Sequence, residues 1–204
     1  IERLVEDGQG MSLRQLLKKP IFAAAIILMI CAGASEMSMA QWASAFAESA
    51  LGLTKSVGDL AGACLFATTM GISRMLYGKF GEKIDLIKFM LISGVICVVS
   101  YLLAGLSAMP IWGLVGCVMC GFSVGIMWPG SISITAPRIP KGGTALFALL
   151  AMAGDMGGAF GPSVVGYFSQ HAGDNLQAGL LTGCIFPLIM LATLIAMKKM
   201  TPEG

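Results

Sequence analysis

Charged residues are scarce in this sequence. Lys and Arg number 13 and Asp and Glu number 11, which makes 12% of the 204 residues charged, whereas soluble domains carry about 25%. Hydrophobic residues make up 56% of the chain, and its mean hydropathy is +0.84. This composition excludes an ordinary soluble domain and predicts an integral membrane protein.

Residues that serve most enzymes and metal sites are also few. The single histidine is His171, no glycine loop of the GxxxxGK type occurs, and all six cysteines lie within apolar segments. Cys117 and Cys120 are one helical turn apart, but no further ligand accompanies them. The sequence therefore predicts no enzyme, no cofactor, no metal and no nucleic-acid partner, and it gives no support to nucleotide-driven transport.

Six apolar segments recur along the chain, each close to the roughly 20 residues that a helix needs to cross a bilayer. The segments are long and do not alternate between apolar and polar residues, which favours helices over strands. The stretch MSLRQLLKK before them places leucines around Arg14, Lys18 and Lys19, as in a helix on a membrane surface. We expect a cytoplasmic linker with this surface helix over 1–19, a six-helix bundle over 20–199 and a cytoplasmic tail over 200–204. The predicted spans are 21–47, 57–77, 89–106, 111–137, 144–168 and 178–197.

The basic residues predict the orientation of these spans. When the loops alternate between two sides, one side holds only Lys55 and the other holds the remaining twelve Lys and Arg residues. The basic side of a membrane protein is cytoplasmic, so both termini are predicted in the cytoplasm, with the bacterial inner membrane as the location. The twelve residues are Arg3, Arg14, Lys18, Lys19, Arg74, Lys79, Lys83, Lys88, Arg138, Lys141, Lys198 and Lys199.

Two spans contain helix-perturbing residues. Trp128-Pro129-Gly130 in the fourth span predicts a kink, because proline removes a backbone donor. The fifth span carries GDMGGAFGPSVVG over 154–166, a run with few side chains. This run predicts either close packing against a neighbouring helix or a hinge that moves during transport, and the two interpretations are compatible.

The stretch RMLYGKFGEK over 74–83 resembles the cytoplasmic loop motif that transporters of the major facilitator superfamily repeat in each six-helix half. The kinked fourth span and the GxxxGP of the fifth resemble the corresponding helices of the C-terminal half. The first span, GASEMSMAQWASAFAE over 33–48, is similar to that of the fucose-permease-like sugar transporters. The fold class expected is thus an all-α membrane protein with one major-facilitator-type bundle of six transmembrane helices.

The resemblance implies a transporter of two such bundles, with the solute held between them near the midplane of the membrane. The chain begins with Ile1, and its polar leader resembles the end of the linker between halves. We therefore expect the C-terminal half of a twelve-helix transporter or a half-size protein. The partners expected are a small-molecule solute, membrane lipid, and an N-terminal six-helix half or a second copy of the chain.

Polar and aromatic residues at membrane depth are the candidate solute ligands. Amides, hydroxyls and an aromatic platform suit a sugar, although tryptophans also anchor at interfaces and serines also serve helix packing. Helical periodicity places Ser38 and Trp42 on one face of the first span, with Gln41 at its margin. The candidate substrate-binding residues are Gln41, Trp42, Ser38, Trp128, Ser123 and Ser131.

Ionisable residues in the spans suggest coupling to a proton or ion. Glu36 and Asp155 lie among apolar residues, where a carboxyl is costly and commonly functional. A hydrogen bond to a neighbouring helix is the competing interpretation for both. In the loop motif, a cytoplasmic gate of charge pairs is predicted from Arg74, Gly78, Gly81, Glu82, Lys83 and Asp85.

Secondary active transport of a small polar solute, such as a sugar, by alternating access is the function that these features favour. A scaffold or sensor that keeps the fold without transporting, and a half-size transporter acting as a dimer, are the alternatives.

Overall fold

The computed structural model describes residues 11–81 and 84–200, and all regular elements among these residues are helical. Six helical spans within them are long and apolar enough to cross a membrane. The all-helical, six-span architecture predicted from the sequence is therefore confirmed. Three parts of the predictions lie outside the described residues: residues 1–10 of the linker, Glu82 and Lys83 of the gate, and residues 201–204 of the tail.

Four spans are single helices and two are divided. A short helix, α1 (Leu13–Leu17), precedes them. The single helices are α2 (Pro20–Leu51), α3 (Lys55–Phe80), α4 (Leu86–Leu106) and α7 (Gly143–His171). The fourth span consists of α5 (Pro110–Val124), α6 (Met127–Thr135) and a 3₁₀ turn (Ala136–Arg138), and the sixth consists of α8 (Leu176–Gly183) and α9 (Ile185–Met200).

The short helix α1 is capped at its N-terminus and held in the bundle by one buried leucine. Ser12 and Gln15 form a capping box, in which the Ser12 N–H donates to Gln15 Oε1 at 2.9 Å. Leu16 is fully buried in a cluster with Phe22 of α2 and Leu146 and Leu150 of α7. This end of the bundle thus joins the first and fifth spans.

Helix α2 lies at the centre of the bundle, where it packs against α3, α5, α6, α7 and α9. The buried Tyr101 of α4 donates its hydroxyl proton to the backbone oxygen of Ser35 at 2.8 Å. A polar contact of this kind satisfies a hydroxyl that lipid cannot hydrate.

Glycines bring α2 and α7 into direct backbone contact. A Cβ at Gly33 would collide with the Gly154 carbonyl, and one at Gly157 would collide with the Ile30 carbonyl. A Cβ at Gly161 would lie 2.7 Å from Ala34 Cα. The glycine-rich run of the fifth span therefore forms a close helix seam, as small residues do between membrane helices.

Both divided spans break four residues before a proline. Pro129 lies four residues after Gly125, the C-cap of α5, and Pro187 lies four residues after Gly183, the last residue of α8. A proline ring clashes with the carbonyl four residues earlier and leaves that carbonyl without its helical donor. The predicted kink of the fourth span is present, although the helix breaks at Gly125–Ile126 and not at Trp128-Pro129-Gly130 itself.

Candidate functional site

A cleft of about 400 Å³ opens between α2, α6 and α7. Its volume falls within the range of small-molecule sites, about 300–1,000 Å³. Its residues from α2 and α7 occupy the centres of the spans Pro20–Ser49 and Gly143–His171, so the cleft lies near mid-depth. The residues that line it are Gly33, Glu36, Met37, Trp128, Gly154, Asp155, Gly158 and Ala159.

Glu36 supplies a carboxyl from the central helix. It follows Gly33 by three residues, so both lie on the face of α2 that meets α7. Its Oε2 is buried and has no hydrogen-bond partner among the described residues. The guanidinium of Arg74 is close enough for its charge to act on this carboxyl. A buried carboxyl oxygen with no partner is a group available to a proton or a bound solute.

Trp128 forms the cleft wall on α6. It is the second residue of α6, directly after the break in the fourth span. Its six-membered ring lies against Gly154, where an added Cβ would come within 2.5 Å of Cζ2. The indole thus lies directly beyond the break, and the absence of a side chain at Gly154 provides its space.

Asp155 supplies the second carboxyl from α7 and is exposed. None of the residues that line the cleft, as the described part of the chain defines it, is basic, and Arg74 acts on Glu36 from outside this lining. Two carboxyls beside an indole and the Met37 thioether are chemically suited to a group that is positively charged and partly apolar. Carboxylates supply the opposite charge, and the face of an indole attracts cations.

The three predicted serine ligands are fully buried and do not line the cleft. Ser123 donates to the Cys120 carbonyl at 2.8 Å, and Ser131 donates to the Met127 carbonyl at 2.6 Å. Ser38 Oγ faces the backbone of α7 at Gly161. Ser123 and Ser131 thus serve the backbone of their own helix, whereas Ser38 Oγ lies in the α2–α7 seam and has no hydrogen-bond partner among the described residues.

Gln41 and Trp42 separate into two environments. Gln41 is exposed one turn after Met37 on α2, so it lies next to the cleft on the same side of the helix. Trp42 is half-buried against the core between the helices, with its indole Nε1 buried and without a partner among the described residues. Of the eight predicted binding and coupling residues, the cleft brings together Glu36, Trp128 and Asp155.

The described residues of the predicted gate have different partners. Arg74 donates its Nε–H to the Gly125 carbonyl at 3.2 Å. Asp85 caps α4 by accepting from the Lys88 N–H at 3.2 Å and pairs with Lys88 Nζ at 3.3 Å. Gly78 has no atom of the described residues outside its own helix close to where a side chain would project, and Gly81 caps α3 beside the Tyr77 ring. The gate as a unit stays a prediction.

Sequence reasoning did not assign Gly33, Met37, Gly154, Gly158 and Ala159 to a site. A signal for them was present in the spacing. One face of α2 carries Gly33, Glu36 and Met37, and one face of α7 carries Gly154, Asp155 and Gly158. On each helix a carboxyl is thus flanked by small or apolar residues. A search for polar residues alone does not find this pattern.

Comparison with known proteins defines the class. The family model described as Major Facilitator Superfamily matches residues 24–203. The chain belongs to this superfamily, so the resemblance seen in the sequence is confirmed at that level. The narrower likeness to the fucose-permease-like group stays a prediction.

Two curated relatives are similar to most of the chain. Both are described as "Multi-drug resistance efflux pump PmrA" of Streptococcus pneumoniae, one from serotype 4 (strain ATCC BAA-334 / TIGR4) and one from strain ATCC BAA-255 / R6. Each is 27% identical over 159 residues, which cover 73% of this chain and 39% of the relative. The matched region thus spans about two fifths of the length of these relatives.

Proposed function

We propose that this chain is one six-helix half of a secondary active transporter, and that its solute is a partly apolar organic cation bound at the cleft between α2, α6 and α7. The observation that carries the solute class is the pairing of Glu36 and Asp155 with the indole of Trp128 in one cleft that has no basic lining residue among those described. The printed description of the relatives, a multi-drug efflux pump, agrees with a solute of this kind.

Two spans support the need for a second bundle. Only 17% of the most apolar window of α3 and 28% of that of α7 is buried, against 61% for α2. These two helices are also the least apolar of the six, whereas a helix exposed to lipid is expected to be more apolar. Their open faces therefore suit another protein surface or an aqueous cavity better than lipid.

The comparison with the relatives also supports a second bundle, because the region that matches this chain spans 39% of their length. We propose an N-terminal six-helix half as the partner, with a second copy of this chain as the alternative. Alternating access then follows if the two bundles rock about the cleft, which lies at mid-depth where transporters of this architecture hold their solutes. The orientation with both termini in the cytoplasm of a bacterial cell belongs to this proposal.

We assign the coupling of transport to a proton or ion to the same two carboxyls, Glu36 and Asp155. Glu36 has a buried oxygen without a partner among the described residues, so a proton or a cationic solute can neutralise it. Because one carboxyl cannot hold both at full strength, the binding of one favours the release of the other. A sugar is the second candidate solute. The exposed amide of Gln41, one turn from Met37 of the cleft, is the observation that favours it.

The mass of the native polypeptide tests the partner. A mass of about twice the 21.2 kDa of this chain is expected, since the second bundle would then be fused to it. A native mass near 21.2 kDa together with a crosslinked dimer in the membrane would replace the fused half by a second copy. A monomer that transports alone would contradict both.

Transport by the native polypeptide in proteoliposomes tests the solute. Ethidium is the cationic probe and L-fucose the neutral one. Glu36→Gln and Asp155→Asn are each expected to lower the initial rate for ethidium about tenfold or more, the effect of losing a contact between charged groups. Asp59→Asn is the matched control, because Asp59 is an exposed carboxylate on α3 outside the cleft.

Several outcomes would reject the assignment. Equal ethidium rates in the folded Glu36→Gln, Asp155→Asn and native proteins would exclude the two carboxyls, and transport of L-fucose without ethidium would replace the cation by a sugar. If neither probe moved and neither raised the unfolding temperature, a scaffold or sensor would be favoured over a transporter.

A further inference from the structure

Pro129 leaves the Gly125 carbonyl without its helical donor. In a continuous helix the N–H of residue 129 would donate to the oxygen of residue 125, but proline has no N–H and its ring displaces that carbonyl. The helix does break there, with α5 ending at Val124 and α6 beginning at Met127. A carbonyl freed at membrane depth requires another donor, since hydrocarbon supplies none.

Arg74 of α3 supplies this donor. Its Nε–H points to the Gly125 oxygen at 3.2 Å. The approach depends on the glycine itself, because a Cβ at residue 125 would lie 2.7 Å from the Met70 oxygen and 2.9 Å from Ser73 Cβ. One turn earlier, Gly121 meets the Phe66 oxygen in the same way. Helix α3 is thus seated against the break, and Arg74 follows directly after the contact at Ser73.

The cleft wall on α6 lies directly after the break. Trp128 is three residues after Gly125, and its ring rests on Gly154 of α7. We infer that Arg74 is a positioning residue, which replaces the backbone hydrogen bond removed by Pro129 and so fixes α6 and the Trp128 indole at the cleft. This inference concerns the break and stands apart from the identity of the solute or the direction of transport.

A double-mutant cycle on the native polypeptide tests the replacement. Pro129→Ala restores the missing N–H, so the Gly125 carbonyl regains a helical donor and Arg74 becomes dispensable. Arg74→Met has similar length without a donor, and it is expected to raise the equilibrium constant for unfolding about tenfold when Pro129 is present. When it is combined with Pro129→Ala, the same change is expected to have an effect of about twofold or less.

Arg74→Gln separates the donor from the charge. Gln Nε2 lies the same number of bonds from the backbone as Arg Nε, so this variant keeps a donor at the right distance while it loses the charge that acts on Glu36. We expect Arg74→Gln to retain most of the native stability. Lys79→Met is the control on the same helix, and its effect is expected to be equal with and without the Pro129→Ala substitution.

The indole gives a readout that a purely stabilising role would not change. With the other tryptophans of the polypeptide replaced by phenylalanine, acrylamide quenching reports the exposure of Trp128. Arg74→Met is expected to change the quenching constant when Pro129 is present, and neither Arg74→Gln nor Lys79→Met is expected to do so.

Four results would overturn the inference. They are an equal effect of Arg74→Met with and without Pro129→Ala, a loss in Arg74→Gln as large as that in Arg74→Met, an unchanged Trp128 quenching constant in Arg74→Met, and failure of Arg74→Met to fold in both backgrounds. If Arg74→Met folds only together with Pro129→Ala, the inference is supported.

Discussion

The fourth and fifth spans contain the same element, a glycine followed by proline four residues later, and respond to it differently. Gly125 and Pro129 divide the fourth span into α5 and α6, whereas Gly158 and Pro162 lie within the continuous helix α7. Gly157 and Gly161 of α7 meet the backbone of α2 directly, while the break after α5 receives a side-chain donor from Arg74. The two prolines therefore have different surroundings: the glycines around Pro162 pack against the backbone of α2, and a donor from α3 reaches the carbonyl at the break before Pro129.

The largest effect is expected when the α2–α7 seam is forced apart. Gly157→Ala places a Cβ on the Ile30 carbonyl, a backbone atom that cannot rotate away. We expect a loss of about 1–3 kcal/mol in the free energy of unfolding, the usual range for overpacking. The unfolding equilibrium of the purified protein measures it.

Gly166→Ala is the matched control for this variant, since it is the same substitution on the same helix and, apart from its own stretch of helix, no atom of the described residues lies within 4 Å of the added Cβ. Alanine is favoured over glycine in a helix by about 0.5–1 kcal/mol, so this variant is expected to be neutral or more stable. Equal losses in Gly157→Ala and Gly166→Ala would show that the seam does not hold α7.

Replacing each proline by alanine is expected to change the stability by an intermediate amount, and the two variants compare the fourth span with the fifth. Pro162→Ala gives the already continuous α7 a further N–H donor, and a gain of about 1 kcal/mol in the free energy of unfolding is expected. Pro129→Ala is expected to gain less, because the Gly125 carbonyl already accepts from Arg74. Thermal unfolding of the two variants under identical conditions measures the difference.

Acrylamide quenching of Trp128 is expected to rank the two variants in the opposite order, with the larger change in Pro129→Ala. Pro129→Ala is expected to shift the indole, because restoring the hydrogen bond straightens the segment that bears it. Pro162→Ala should leave the quenching constant unchanged. A larger change in Pro162→Ala than in Pro129→Ala would mean that α7, and not the break after α5, positions the cleft wall.

The smallest effect on stability is expected at the contact between Asp85 and Lys88, which lies outside the membrane. It can be compared with the effect expected at Arg74. The Lys88 N–H, by donating to the Asp85 carboxylate, lowers the pKa of Asp85, with a smaller contribution from the Lys88 ammonium. Because the folded pKa lies below the unfolded one, this stabilisation is complete above the ordinary aspartate pKa of about 3.9 and is lost as the pH falls through the folded pKa. Asp85→Ala should therefore unfold at a slightly lower temperature than the native protein at neutral pH.

The difference between Asp85→Ala and the native protein is expected to disappear in acid, when both lack the carboxylate. Asp85→Asn keeps a capping oxygen that does not titrate, and it serves as the control. A difference that stayed constant with pH would assign the effect of Asp85→Ala to helix propensity and not to the charged cap. Both variants are compared by thermal unfolding across the acid range.

Much of the fold was predictable because the bilayer imposes it. Hydrocarbon leaves a chain no choice but to pair its backbone internally, so the length and spacing of apolar runs fix the number of helices. The predicted spans 89–106 and 111–137 end within three residues of the observed Leu86–Leu106 and Pro110–Arg138. The candidate site was less predictable, because a serine such as Ser131 is polar in any sequence, and only the fold shows that its hydroxyl proton goes to its own helix.

The sequence by itself determined an all-helical membrane protein of six spans, its superfamily, and the two carboxyls Glu36 and Asp155 at membrane depth, since each of these depends on composition, motif or position along a span. Only the tertiary structure decided which side chains share a cleft, that α7 stays continuous across Pro162, and which donor reaches Gly125. Those outcomes depend on contacts between residues such as Arg74 and Gly125, which lie far apart in the chain and meet only when the helices pack.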